Sequence, residues 1–323
     1  MHRHRRILSL AAALIVLTAA CNESAGASPT PSMTSTRIGC LDQWPASGKV
    51  MTTGPIPNLV NRDLAPGKTR LLLGLLDSTG YPLDGSQWSL TAQLYDLAVD
   101  GCTPLAAPST LTFEWASKPT KGFFVGPATL PLGLRDMGIV VSGTNDAGSA
   151  VNIHFAAVVF EQGIAPRPGD KAPAIATPTA AEDPHGLAGV STDSEPLARL
   201  YRDSASDLLA AGRPFMIVFA SPGFCTSEAC GPTLTTIKAV APSFKHLAII
   251  HVEPYVMEWN GTRMVPVMVP GVGLQPNPIA TAWQLPIEPW IFTIDAKGRV
   301  VESFEGVVSV EELRAALAEI AKK

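Results

Sequence analysis

The chain has 323 residues, of which 46% are apolar, 16% charged and 7% aromatic, with a formal net charge of −4. That apolar share supplies real cores and excludes a disordered tail protein, and the length fits roughly two domains of ~100–200 residues each. With 24 Lys and Arg against 28 Asp and Glu, there is no basic excess to neutralise phosphates, so no nucleic-acid partner is expected.

The chain opens with Arg3, Arg5 and Arg6, followed by the uncharged, mainly apolar run Ile7–Ala20. At 1.5 Å per residue this run covers only ~21 Å of a ~30 Å hydrocarbon core, which suits a signal h-region rather than a stable span. Its ending, Leu17-Thr18-Ala19-Ala20-Cys21, resembles a bacterial lipoprotein signal. The resemblance implies that residues 1–20 are removed and that Cys21 is lipidated as the mature N-terminus. The protein would then sit on the extracytoplasmic face of a bacterial membrane, in the cell envelope. Ordinary cleavage would instead leave Cys21 a plain thiol and the protein secreted. Export also removes three arginines, so the mature surface is more acidic and attachment rests on the lipid alone.

Outside the cytosol disulfides persist, which makes the four other cysteines informative. They fall into an early pair, Cys40 and Cys102, and a late pair, Cys225 and Cys230. Four cysteines allow three pairings, and the domain layout favours 40–102 as a structural disulfide and 225–230 as a second bridge.

Residues Asn22–Arg37 are rich in Ser, Thr, Pro, Gly and Ala without periodicity, so residues 21–45 read as a flexible, lipid-anchored tether. Over 46–162 the texture changes to short β-prone runs: Arg70–Leu76, Trp88–Tyr95, Thr110–Trp115, Gly138–Val141 and Val151–Phe160. Turn signals at Ser78-Thr79-Gly80, Asp84-Gly85, Lys118-Pro119 and Asn145–Gly148 separate them. This spacing predicts an antiparallel β-sandwich, immunoglobulin-like in kind, acting as a binding or spacing module. His154, alternating within a strand, reads as packing rather than as a ligand. Residues 163–186 carry Pro166, Pro168, Pro173, Pro178 and Pro184 and read as a linker.

From 187 to 323 the rhythm is α/β. A helix is expected over Leu197–Ala211, ended by Gly212, then a buried strand Phe215–Ala220. A helix Thr233–Phe244, a strand Leu247–Val252 and an irregular insertion Glu253–Pro276 follow. The chain closes with a helix Ile279–Leu285, strands Trp290–Asp295 and Arg299–Glu305, and an amphipathic helix Val310–Ala321. This order, with Phe215–Ala220 leading to Cys225-Thr-Ser-Glu-Ala-Cys230-Gly-Pro and with Glu288-Pro289 ahead of Trp290–Asp295, resembles the thioredoxin superfamily. The resemblance implies a thioredoxin-like fold in which Pro289 is the cis-proline facing the cysteine turn. The whole chain also resembles uncharacterised exported bacterial proteins with a β-sandwich ahead of such a domain.

The resemblance makes Cys225, Cys230 and Pro289 the candidate catalytic residues of a possible thiol–disulfide oxidoreductase. Its partners would be envelope or secreted proteins carrying thiols or disulfides, and no cofactor or metal is expected. A thiolate at a helix N-terminus is favoured by the macrodipole, and a second thiol resolves the mixed disulfide. Either cysteine fits the attacking role. Glu228 and Glu288 lie close in expectation and oppose a second negative charge on sulfur, which predicts a stable disulfide rather than a strongly oxidising one. The rival reading is a redox-silent binding or assembly module pinned by the 225–230 bridge. Two readings rank lower. A peroxiredoxin subgroup spaces its cysteines the same way, but Pro222 stands where that family has threonine. Sco-type copper chaperones pair cysteines with a downstream histidine, here His251, and Met257, Met264 and Met268 are nearby in sequence; loop packing is the plainer role for these methionines. Phe224 and Trp290 read as hydrophobic cover.

Overall fold

Eight strands make up the first half of the computed structural model, which describes residues 40–46 and 49–322. The expected signal segment, Cys21 and most of the tether lie outside the described residues. The strands are β1 (Val50–Met51), β2 (Ile56–Leu59), β3 (Gly67–Leu76), β4 (Trp88–Asp96), β5 (Ser109–Ser117), β6 (Lys121–Leu130), β7 (Asp136–Asn145) and β8 (Ala150–Val158). All pair antiparallel in one sheet of order β1-β8-β7-β4-β5-β6-β3-β2. Where two separate sheets are expected, a single nearly closed sheet folds over on itself. The fold lies in β5, whose Ser109–Leu111 pair with β4 while Thr112–Ser117 pair mainly with β6. Period-two alternation then turns Leu71, Leu73 and Leu75 of one half toward Leu90, Ile139 and Ile153 of the other, around one apolar core.

Strand β6 has no clear signature because Gly122, Gly126 and Pro127 interrupt it. The two glycines have a packing reason: a Cβ there would collide with Phe113 and Leu111 on the neighbouring strand. The early disulfide is present. Cys40 and Cys102 are bonded with their Cα atoms 5.1 Å apart, fastening the segment that carries Trp44 to the loop after β4. Trp44 is buried against Tyr95 and the half-buried His154, and its Nε1 donates to Gly101 O at 2.9 Å. His154 thus serves as packing, and burial lowers its pKa.

In the second half a mixed sheet of order β10-β9-β15-β16 comprises β9 (Phe215–Phe219), β10 (Ala248–Val252), β15 (Trp290–Ile294) and β16 (Val300–Glu305). Strand β10 runs parallel to β9, β15 antiparallel to β9, and β16 antiparallel to β15. The helices are α1 (Leu187–Val190), α2 (Ala205–Ala210), α3 (Cys230–Val240), α4 (Pro278–Ala282) and α5 (Val310–Ile320). Every residue of β9 is buried, as a strand covered on both faces must be. Met216 and Val218 face Leu234 and Ile237 of α3 and Leu313 and Leu317 of α5, while Phe215, Ile217 and Phe219 pack with α2 and α4.

Three elements differ from expectation. The expected helix Leu197–Ala211 is a 3-10 turn at Ala198–Tyr201 followed by α2, because Thr177 accepts the Ala205 N–H and donates its own N–H to Ser204 Oγ, capping a new helix start. Helix α3 begins at Cys230 rather than Thr233, since Pro232 is tolerated in a first turn. The insertion 253–276 is less irregular than expected and holds two small hairpins: β11 (Met257–Trp259) with β12 (Met264–Pro266), and β13 (Met268–Val269) with β14 (Gly273–Leu274).

Both halves belong to one compact unit. The proline-rich segment 163–186 is extended but docked: Gly169 N–H donates to Val300 O, Ala172 N–H donates to Gly298 O, and Ala165 and Ala172 enter the core. Across the junction, Arg70 of β3 donates to Val307 O at 2.6 Å and pairs with Glu312 of α5 at 2.9 Å. Glu305 accepts the Arg62 N–H at 2.6 Å and the Asn61 side-chain amide at 3.2 Å.

Candidate functional site

Strand β9 ends at Phe219, and residues 220–229 carry the chain to the start of α3, at the carboxyl edge of the sheet where α/β folds place their ligands. Cys225 lies in this turn and Cys230 is the first residue of the helix. They are disulfide-bonded, with Cα atoms 5.9 Å apart. The two sulfurs are not equivalent. Cys230 is fully buried, whereas Cys225 is partly buried. The first N–H of α3 belongs to Cys230 and donates to Cys225 Sγ at 3.2 Å. No side chain caps this helix, so that N–H is one of the orphan donors of the helix start, and the sulfur takes the place of a capping oxygen. The Cys225 sulfur therefore lies just before the helix and faces its positive end.

A carboxylate holds the turn. Glu288, 5% exposed, precedes Pro289 in a cis peptide. Its Oε1 accepts the Thr226 N–H at 3.0 Å and the Thr226 hydroxyl at 2.8 Å. Its backbone carbonyl accepts the Ser227 hydroxyl at 3.0 Å, and Ser227 Oγ lies 3.3 Å from Cys225 Sγ. The sulfurs of Cys225 and Cys230 and a Glu288 oxygen all lie within 4.8 Å of one another. Tyr255, from the insertion, turns its hydroxyl to the same carboxylate; burial first, then the hydrogen bond to Glu288 and that group's charge, raise its pKa.

The other flank of the turn is also tied down. Gly223 N–H donates to Thr192 Oγ1 at 3.0 Å, and Thr192 donates its N–H and hydroxyl to the buried Glu253, each at 2.7 Å. His251 lies behind, 1% exposed, with Nε2 2.8 Å from Ala220 O and Nδ1 2.9 Å from the Tyr201 hydroxyl. Both ring nitrogens are engaged and burial lowers its pKa, so this histidine supports the strand end rather than presenting a free ligand. Trp290 is buried and donates Nε1 to Ser303 Oγ at 2.9 Å, in the role of cover.

The β-rich half reaches the site as well. Lys121, the first residue of β6, donates Nζ to Ser227 O at 3.0 Å and lies 3.9 Å from the Glu228 carboxylate. Ala229, 2% exposed, packs with Leu72, Phe123, Val125 and Val307 in a cluster that spans both halves. The residues between the two cysteines are thus seated on the β-sheet. Cys225, Cys230, Glu288 and Pro289 are the expected residues brought together; Thr226, Ser227, Tyr255, Thr192 and Lys121 join them without a sequence signal beyond the loop position of the first two. Chemically, the arrangement offers one partly buried and one fully buried cysteine, and among the described residues the only set of His, Cys, Asp or Glu donors close enough to hold a metal ion. Neither protein-family models nor curated proteins give a match to this chain.

Proposed function

We propose that the chain is an exported, lipid-anchored bacterial envelope protein whose second half is a thioredoxin-like domain exchanging disulfides with envelope proteins through Cys225 and Cys230, and whose first half is an immunoglobulin-like module docked beside that site. The strand order β10-β9-β15-β16, the cysteine turn between β9 and α3, and Glu288-Pro289 against that turn support the thioredoxin-like reading. The observation that carries the exchange reading is the asymmetry of the two sulfurs. Cys225 is the one a partner reaches, and its thiolate would receive the helix N–H; Cys230 is the resolving sulfur. In exchange, the Cys225 thiolate attacks a partner disulfide, one partner sulfur leaves as thiolate, and Cys230 then attacks Cys225 Sγ and releases the second. Cys230→Ser should therefore accumulate mixed disulfides on Cys225 in cells, read by non-reducing gels and mass spectrometry, while Cys225→Ser gives none. Equal absence of adducts from both variants contradicts the proposal.

The second reading, a redox-silent module, draws on a different observation. Residues 226–229 are fixed by Glu288, by Lys121 and by burial of Ala229, which suits a bridge that only pins a loop. For it, both serine variants leave partners uncaptured and lower stability alone. Copper delivery through His251 is disfavoured because both of its ring nitrogens are engaged, and Pro222, where peroxidases of that subgroup have threonine, disfavours peroxidase activity.

A further inference from the structure

Opening the Cys225–Cys230 bridge does more than expose two thiols. The turn that carries them stays fastened by bonds that do not involve the disulfide: Thr226 and Ser227 to Glu288, Lys121 to Ser227 O, and Ala229 in the shared core. With the bridge closed the two sulfurs and a Glu288 oxygen lie within 4.8 Å of one another, and these bonds would keep the sulfurs facing that carboxylate once it opens. No Lys, Arg or His occurs in the sequence from Ser221 to Thr236, and Lys121 is committed to Ser227 O and Glu228. A reduced site thus gathers three potential anions in a largely buried place with no Lys, Arg or His in the turn itself to balance them, and a divalent metal ion is the species that would.

We propose that the reduced form is a metal site, with Cys225 Sγ, Cys230 Sγ and a Glu288 carboxylate oxygen as three ligands to a zinc-like divalent cation. Two thiolates and one carboxylate suit zinc, which takes tetrahedral sulfur and oxygen donors and keeps a fourth position for water. Cu(I), by contrast, favours sulfur donors over carboxylate oxygen. The surroundings are those of a supported metal centre. Thr226 orients the carboxylate with two hydrogen bonds, and the Cys230 N–H already donates to a ligand sulfur. The oxidised protein cannot bind in this way, because its sulfurs are committed to each other. The metal and the disulfide are alternative closures of one loop.

The site needs a reductant but no partner protein, which separates its test from that of exchange. A phosphine supplies two electrons, breaks the S–S bond and is oxidised to phosphine oxide with oxygen from water, leaving two thiols. On metal binding the two thiol protons go to solvent. Purified protein, reduced this way and freed of phosphine under anaerobic conditions, is titrated with Co2+ as a spectroscopic stand-in for zinc. The expected result is a thiolate-to-cobalt charge-transfer band saturating at one equivalent, absent from the oxidised protein and abolished by excess Zn2+. Cys225→Ser and Cys230→Ser lose the band although Cys21 remains, and Glu288→Gln weakens cobalt binding by about tenfold or more. Glu288→Gln keeps hydrogen-bonding capacity toward Thr226, and unchanged circular dichroism of that variant establishes that it folds. No band in the reduced wild type, or unaltered affinity in folded Glu288→Gln, overturns the proposal. Cobalt binding without mixed disulfides in cells keeps the metal site and contradicts exchange.

Discussion

Replacing Glu288 with Gln removes a negative charge from within 4.8 Å of both sulfurs while leaving an oxygen for the Thr226 hydrogen bonds. A nearby anion disfavours a second one, so its removal favours the thiolate at Cys225 once the bridge is reduced. Alkylation of reduced Glu288→Gln at neutral pH should run faster than that of reduced wild type, by up to about tenfold, as measured by timed iodoacetamide labelling. An unchanged rate contradicts the placement of that charge. The cysteines and Glu288 were legible in the sequence because the turn and the Glu288-Pro289 pair carry local signatures. Lys121 was not, because its bond to Ser227 spans 106 positions and depends on how the β-sheet docks. Nor was the inequality of the two sulfurs: four residues between the cysteines leave open which one the helix buries.

At the scale of elements, the early disulfide joins residues 62 apart and closes the loop that contains β1 to β4. Cys40→Ser with Cys102→Ser should lower the unfolding free energy by about 4 kcal/mol in the chain-entropy model, read by denaturant titration; a change near zero contradicts it. Strands β9, β10 and β15 were readable as mainly apolar runs, since strands covered on both faces need no alternation, whereas β16, with Glu302, Ser303 and Glu305, was readable from the turn that precedes it. Strand β6 was not, because its glycines serve Phe113 and Leu111 on β5 and dilute the β-pattern. The start of helix α2 has no local signature for a similar reason: Thr177, 28 positions back in the chain, sets it.

The whole molecule is held across its junction by Arg70 and Glu305, and that junction is sensitive to pH. Burial raises the Glu305 pKa above 4.5, against the opposing pull of the Arg62 N–H and the Asn61 amide. The native state then holds this proton more tightly than the unfolded chain, so ionising Glu305 costs stability as pH rises from about 4.5 through the native value. Glu305→Gln has no such loss. Its stability relative to wild type should rise between pH 4 and pH 7. A difference that stays flat or falls contradicts the assignment. Taking the difference between the two proteins also cancels His251, whose lowered pKa gives the opposite slope below 6.5.

The central claim is that the bridge at the β9–α3 turn is opened from outside by attack on Cys225 while the rest of the protein stays folded. Differential alkylation with mass spectrometry, after brief exposure of the native protein to a dithiol, tests it most directly. Cys225 and Cys230 are expected to become labelled while Cys40 and Cys102 stay bonded and circular dichroism is unchanged. Labelling of Cys225 and Cys230 only under conditions that unfold the chain would contradict it.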